Sequence, residues 1–165
     1  MSDARVGLGI DLHARDAGRP LFLGGVAFDG EAGLAGHSDG DVVSHALIDA
    51  ILGAAGLEDI GALFPSGEAQ WEGASSLDLL RRAYEDAMEG GWELVNADCV
   101  LIGEEPRIAS VRDELRRTLS GVLGVGMDRI TVRATTTDRL GFTGRGEGLA
   151  AQAVALLRQR DTIVT

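Results

Sequence analysis

Positive charge is scarce in this chain: 15 arginines and no lysine stand against 26 aspartates and glutamates. The net charge of −11 and an isoelectric point near 4.6 deny it the basic face that nucleic acids and anionic membranes require, so neither is expected as a partner. Cysteine occurs once, at Cys99. One thiol excludes an internal disulfide and fits a reducing cytoplasm. Three prolines and no low-complexity tract argue against linkers and disorder. No apolar run nears the ~20 residues of a membrane span. Met1 leads almost directly into a strand-like segment, so no signal or transit peptide is expected.

What remains is 165 residues, 45% hydrophobic and 25% charged, read as one soluble domain over residues 1–165 with room for a proper core. Residues 5–13 read as a strand that ends in polar residues, and Leu21-Phe22-Leu23 as a strand that pairs with it. Ser38 or Asp39 is the expected N-cap of a helix whose apolar stripe runs from Val43 to Ala54 and stops near Gly56. Asp59 to Ser66 reads as an ordered loop. Ser75 and Asp78 resemble a capping box for a helix that ends before Gly90-Gly91. Trp92 to Ile102 is rich in strand formers, Ile108 to Leu123 is an amphipathic helix, and Arg129 to Thr135 alternates like a half-buried strand. Leu149 to Arg158 reads as a closing helix. The alternation predicts crossover connections and a mixed β-sheet with helices on one face. The uncovered sheet face predicts an oligomer.

Chemistry concentrates in three segments. Asp11 and His13 are two apart on a strand and share a side, and His45 can join them from the following helix. Three ligands of this type leave one position open, as in catalytic zinc sites. All three histidines fall here, the third being His37 in the run His37-Ser38-Asp39-Gly40-Asp41. Asp41 and Asp49 share a helix face with His45 and are candidates to hold its second ring nitrogen. The third segment, Ala134 to Gly148, offers the hydroxyls of Thr135, Thr136 and Thr137, a hard oxygen ligand in Asp138, and a glycine-rich stretch before the expected closing helix, where an anion would be favoured. No Walker or Rossmann fingerprint is present. An anion site in so acidic a chain needs local positive charge, which divalent cations would supply. Gly103-Glu104-Glu105-Pro106-Arg107 is either an ordinary strand-to-helix turn or a backbone reader of a base edge. Trp71, Trp92, Tyr84 and Cys99 are read as packing or surface residues. A zinc phosphohydrolase and a metal-stabilised interaction module remain rival readings of the same ligands.

The motifs GIDLH, GHSDGDVVSHALIDAILGAAGLEDIGALFP and RATTTDRLGFTGRGEGLAAQAVALL, spanning about Arg5 to Leu157, resemble the 2-C-methyl-D-erythritol 2,4-cyclodiphosphate synthase family of the non-mevalonate pathway. The resemblance implies a small α+β fold of the Bacillus chorismate mutase-like type, assembled as a homotrimer with active sites shared between neighbours. It implies a small-molecule diphosphocytidyl substrate, zinc on Asp11, His13 and His45, and magnesium or manganese on Asp138. His37 and Thr136 are the implied transition-state stabilisers. Asp11, Leu12, His13, His37 and Ser38 would meet the substrate beside the metal. Asp59, Ile60, Gly61, Phe64, Pro65, Ser66, Gly67 and Glu68 would line a methylerythritol pocket. Gly103, Glu104, Glu105, Pro106, Arg107, Ile108 and Ala109 would hold the cytidine and phosphates with Thr135, Thr136, Thr137 and Asp138, and Phe142 and Arg145 nearby. The chain departs from the usual pattern at Asp138 (often Glu), Glu104-Glu105 (often Gln and a small residue), Ser66 (often Asp) and Arg107 (often Lys).

Overall fold

A computed structural model describes residues 3–160. Its frame is a five-stranded mixed sheet built on three long strands: β1 (Ala4–Asp16), β5 (Trp92–Ile102) and β7 (Gly148–Gln159). With β4 (Gly33–Leu34) and β6 (Ile130–Thr135) at the edges, the order is β4-β1-β7-β5-β6. β7 pairs antiparallel with both β1 and β5, and β6 lies parallel to β5. The helices α1 (Val42–Ala55), α3 (Ser76–Glu89) and α4 (Arg112–Leu123) contribute buried apolar residues to one core. The expected sheet with helices on one face is present.

The central position of β7 overturns the closing helix expected at Leu149 to Arg158. Leu149, Ala151, Ala153, Ala155 and Leu157 are buried while Gln152 and Val154 are exposed, a two-residue period. Alanine favours helix in isolation, but pairing on both edges and burial under α1 override that preference. The glycine-rich stretch therefore leads into a strand, and the helix-dipole argument for an anion there falls. It holds instead a single helical turn, α5 (Gly141–Gly144).

Several boundaries also differ. β2 (Leu21–Leu23) pairs with β3 (Val26–Phe28) in a separate ribbon and not with β1. The N-cap of α1 is Asp41, whose side chain takes the N–H groups of Val43 and Ser44 at 3.1 Å each, and Gly56 ends the helix at φ 75°. Residues 60–63 form one helical turn, α2, inside the expected loop. Ser75 precedes α3 without a capping hydrogen bond, so no Ser75–Asp78 box forms; Asp39 accepts the Ser76 N–H instead, at 2.9 Å. α4 starts at Arg112, four residues later than expected, and ends at Gly124.

Two glycines decide how closely α1 can lie on the sheet. A Cβ at Gly7 would stand 1.9 Å from the Ala50 carbonyl oxygen, and one at Gly9 would stand 1.8 Å from that of Ala46. Gly7, Gly9, Asp11 and His13 alternate along one face of β1, so the approach that the glycines permit carries His45 onto Asp11. On the opposite face Val6, Leu8, Ile10 and Leu12 are 51–69% exposed, with Val154 beside them.

Candidate active site

Asp11, His13 and His45 converge as the β1–α1 packing requires. The Asp11 Oδ2 lies 3.0 Å from His13 Nε2 and 3.0 Å from His45 Nδ1, and the two ring nitrogens are 3.4 Å apart. One donor atom from each residue lies within 4.8 Å of the other two, close enough for one ion. A carboxylate and two imidazoles form a donor set that suits zinc. The other ring nitrogen of His45, Nε2, meets Ser76 Oγ at 2.8 Å and Ser38 Oγ at 3.0 Å. Ser76 Oγ in turn donates to Asp39. With Nε2 engaged by hydroxyls, Nδ1 is left free to face Asp11.

Neither Asp41 nor Asp49 holds that nitrogen, contrary to the helix-face expectation. Asp41 is buried and accepts from Gly24 N at 2.8 Å, Gly25 N at 2.7 Å and Ser44 Oγ at 2.8 Å, tying the β2–β3 turn to the start of α1. Asp49 accepts from Ile60 N at 2.8 Å. Burial raises the pKa of both carboxyls. At Asp11 burial also opposes ionisation, but hydrogen bonds and charge from His13 and His45 outweigh it and hold the carboxyl well below the usual range. Burial pulls His45 down, yet the bond and charge of Asp11, with Asp41 and Asp39, leave it raised.

The triad opens into a cavity of about 190 Å³. Its walls include His37, Ser38, Ile60, Gly61 and Phe64, as the resemblance implies, together with Trp71 and Leu79, which it does not. Trp71 stacks edge-on against Phe64 at 5.0 Å, and its indole N–H reaches Glu68 at 3.2 Å. Leu12 points to the opposite, open face of β1, so its side chain does not meet this cavity. Asp59 caps α2 through Ala62 N at 2.9 Å. Neither it nor Pro65, Ser66, Gly67 or Glu68 lines the cavity.

A second cleft, about 710 Å³, is walled by Gly103 to Ala109, Ala134 to Thr136, and residues 143–146. Five arginines line it, Arg15, Arg107, Arg112, Arg139 and Arg145, against two acids, Glu104 and Glu105. The strongly acidic chain thus keeps a locally cationic groove, which its net charge conceals. Thr137, Asp138 and Phe142 are not among its lining residues. Asp138 is exposed and accepts from Thr136 Oγ1 at 3.3 Å, apart from the converging triad. No residue lines both cavities. Arg15 was missed in the sequence, although it continues the Asp11, His13 alternation by one more step. It donates to the carbonyls of Ala32 at 2.7 Å and Glu105 at 2.6 Å. Ser76 and Trp71 carried no local signal.

Comparisons with known proteins agree on one neighbourhood. A family model described as the YgbB family matches residues 4–158. The chain is 54% identical over 162 residues to the 2-C-methyl-D-erythritol 2,4-cyclodiphosphate synthase of Rubrobacter xylanophilus, covering 96% of this chain and 98% of that one. It superposes on the bifunctional IspDF of Campylobacter jejuni with a TM-score of 0.94 and 40% identity, over 98% of this chain but 44% of that longer one. It also superposes on Plasmodium falciparum IspF, solved as a CDP complex, with a TM-score of 0.84 and 31% identity over 98% and 99% of the two chains.

Proposed function

The chain belongs to the YgbB family, and from that membership we propose that it converts 4-diphosphocytidyl-2-C-methyl-D-erythritol 2-phosphate into 2-C-methyl-D-erythritol 2,4-cyclodiphosphate and CMP. It would act as a phosphorus–oxygen lyase in cytoplasmic non-mevalonate isoprenoid precursor synthesis. The observation that carries this reading is the convergence of Asp11, His13 and His45 beside a small cavity, in a chain that also holds a cationic groove.

The substrate's own 2-phosphate would attack the β phosphorus, forming the new P–O bond as the bond to the CMP oxygen breaks. A phosphate monoester with a second pKa of about 6 is already largely dianionic at neutral pH. No protein nucleophile is required, and the residues position groups and absorb charge. A zinc ion on the triad would supply Lewis acidity at a phosphate oxygen, and magnesium or manganese at Asp138 would neutralise the α and β phosphates. The arginines of the groove would offset diphosphate charge, and the backbone of Gly103 to Ala109 would face the cytidine. His37, exposed at the rim of the triad cavity, would donate to the developing charge, as would the Thr136 hydroxyl. Ile60, Gly61 and Phe64, with Trp71, would enclose the methylerythritol.

Because the triad cavity and the groove share no lining residue within one chain, we infer that a neighbouring subunit completes each site. A homotrimer of chorismate mutase-like subunits, with the open apolar faces of β1 and β7 packed about the threefold axis, accounts for both features. Phosphorus NMR of the reaction in zinc and magnesium tests the chemistry. Equal amounts of cyclic diphosphate and CMP are expected. A linear monophosphate product would point to a phosphohydrolase, and no turnover would overturn the reading.

A further inference from the structure

The turn after β6 is held from outside itself. Asp138 and Arg139 are consecutive non-glycine residues at φ 52° and 64°, a region that L-residues avoid. Such a conformation persists where surrounding contacts over-determine it. Here Glu104, on the loop after β5, supplies those contacts: its Oε1 accepts from Thr137 N at 3.3 Å and from Arg139 N at 3.0 Å. Next to it Gly103 N donates to Thr135 O at 3.0 Å. On the far side Thr137 Oγ1 donates to Leu140 O at 2.7 Å and meets the buried Thr143 Oγ1 at 3.0 Å. The two N–H groups that converge on one oxygen form a concavity of the kind that captures anions, and a side chain of the protein fills it.

We propose that Glu104 is a positioning residue: it clamps the Thr136–Arg139 turn in its strained shape and acts on the phosphate step through Thr136 and Asp138, without reading the base. This rests on the function proposed above. Two consequences separate a clamp from a base contact. A clamp needs an acceptor oxygen and not a charge, so Glu104→Gln retains it. Its loss moves the groups that face phosphate and leaves the nucleoside pocket intact.

The test combines amide hydrogen exchange on metal-free protein with kinetics and cytidine binding. In Glu104→Ala, exchange at the Thr137 and Arg139 amides should accelerate about tenfold or more. In the same variant kcat should fall roughly 10- to 100-fold, while KM and the Kd for cytidine change less than about threefold. Glu104→Gln should restore the protection and at least about a third of kcat. Should Glu104→Ala fail to fold, Glu104→Asp, one methylene short of the two amides, is read in its place. Unchanged exchange at both amides overturns the proposal, as does a loss confined to KM and cytidine affinity. A wild-type protein that turns nothing over would sink the function proposed above, and the exchange measurement would still decide whether Glu104 clamps the turn.

Discussion

The two ring nitrogens of His45 have separate partners, hydroxyls on one side and Asp11 with His13 on the other, and this division fits it to be a ligand. Ser76 Oγ makes the shorter hydroxyl contact and is anchored by Asp39. Ser76→Ala should therefore lower zinc affinity about 10- to 100-fold in chelator competition while leaving all three ligands in place. His45→Ala should abolish both stoichiometric zinc and turnover, and full CMP release by that variant in metal-free buffer would refute the zinc role. The same pair sets a pH signature in metal-free protein. Asp11 is depressed, so its contribution is present above the ordinary carboxylate range and lost as pH falls through its lowered value. His45 is raised, so its contribution is complete below the ordinary imidazole range and lost as pH rises through its elevated value. The pair should stabilise most between about pH 4 and 6.5. Thermal unfolding in EDTA should show that window, and Asp11→Asn should flatten it. Zinc competes with the His45 proton, so the gain in Tm on adding zinc should be larger at pH 7.5 than at pH 5.5. Cys99 makes a simpler case: burial pushes its thiol up to about 12. It should resist alkylation at pH 8 in the folded protein and react promptly in guanidinium.

At the scale of elements, the seam between α1 and β1 delivers the metal ligands, and its glycines are its weak point. Gly9→Ala places a Cβ against the Ala46 carbonyl, which the helix backbone cannot yield cheaply. It should cost about 1–3 kcal/mol in denaturant melts and weaken zinc binding, because α1 must lift and take His45 with it. Gly53 lies in the same helix but is exposed, with its nearest neighbour 4.0 Å from a built Cβ. Gly53→Ala should stabilise by about 0.5–1 kcal/mol and leave zinc untouched. The seam also marks what could be read from the chain. The Asp11, His13 alternation and the α1 stripe are local periodicities, so β1, α1 and the triad were legible. β7 was not, because LAAQAVALL satisfies helical and strand periods about equally and its neighbours on both sides decide the outcome. The capping of α3 by Asp39 and the seating of Trp71 on Phe64 arise from contacts between segments 7 or more residues apart, which local patterns do not encode. The implied pocket residues Pro65 to Glu68 and Asp59 follow the chain of the resemblance and not the cavity wall of a single subunit.

For the whole molecule, the open face of β1 poses the problem that assembly would solve. Val6, Leu8, Ile10 and Leu12 make an exposed apolar row, whereas the β6 side of the same face carries the Arg133–Asp98 pair at 2.6 Å. A row of this kind is costly to leave in water and marks an interaction surface. Leu8→Glu should therefore convert the proposed trimer to monomers in sedimentation, with zinc still bound because Asp11, His13 and His45 belong to one chain. Turnover should vanish even so, since the triad cavity and the arginine-lined groove would no longer meet. Mixing inactive subunits tests that directly. His45→Ala removes the triad and Thr136→Ala disables the groove, and each homogeneous protein should be inactive. When the two are unfolded together and reassembled in equal amounts, a site shared between neighbours draws an intact triad from one variant and an intact groove from the other. Random pairing in a ring then restores roughly a quarter of wild-type activity. If each site is instead complete within a chain, no mixture contains a sound one, and recovery should stay at the level of the separate variants.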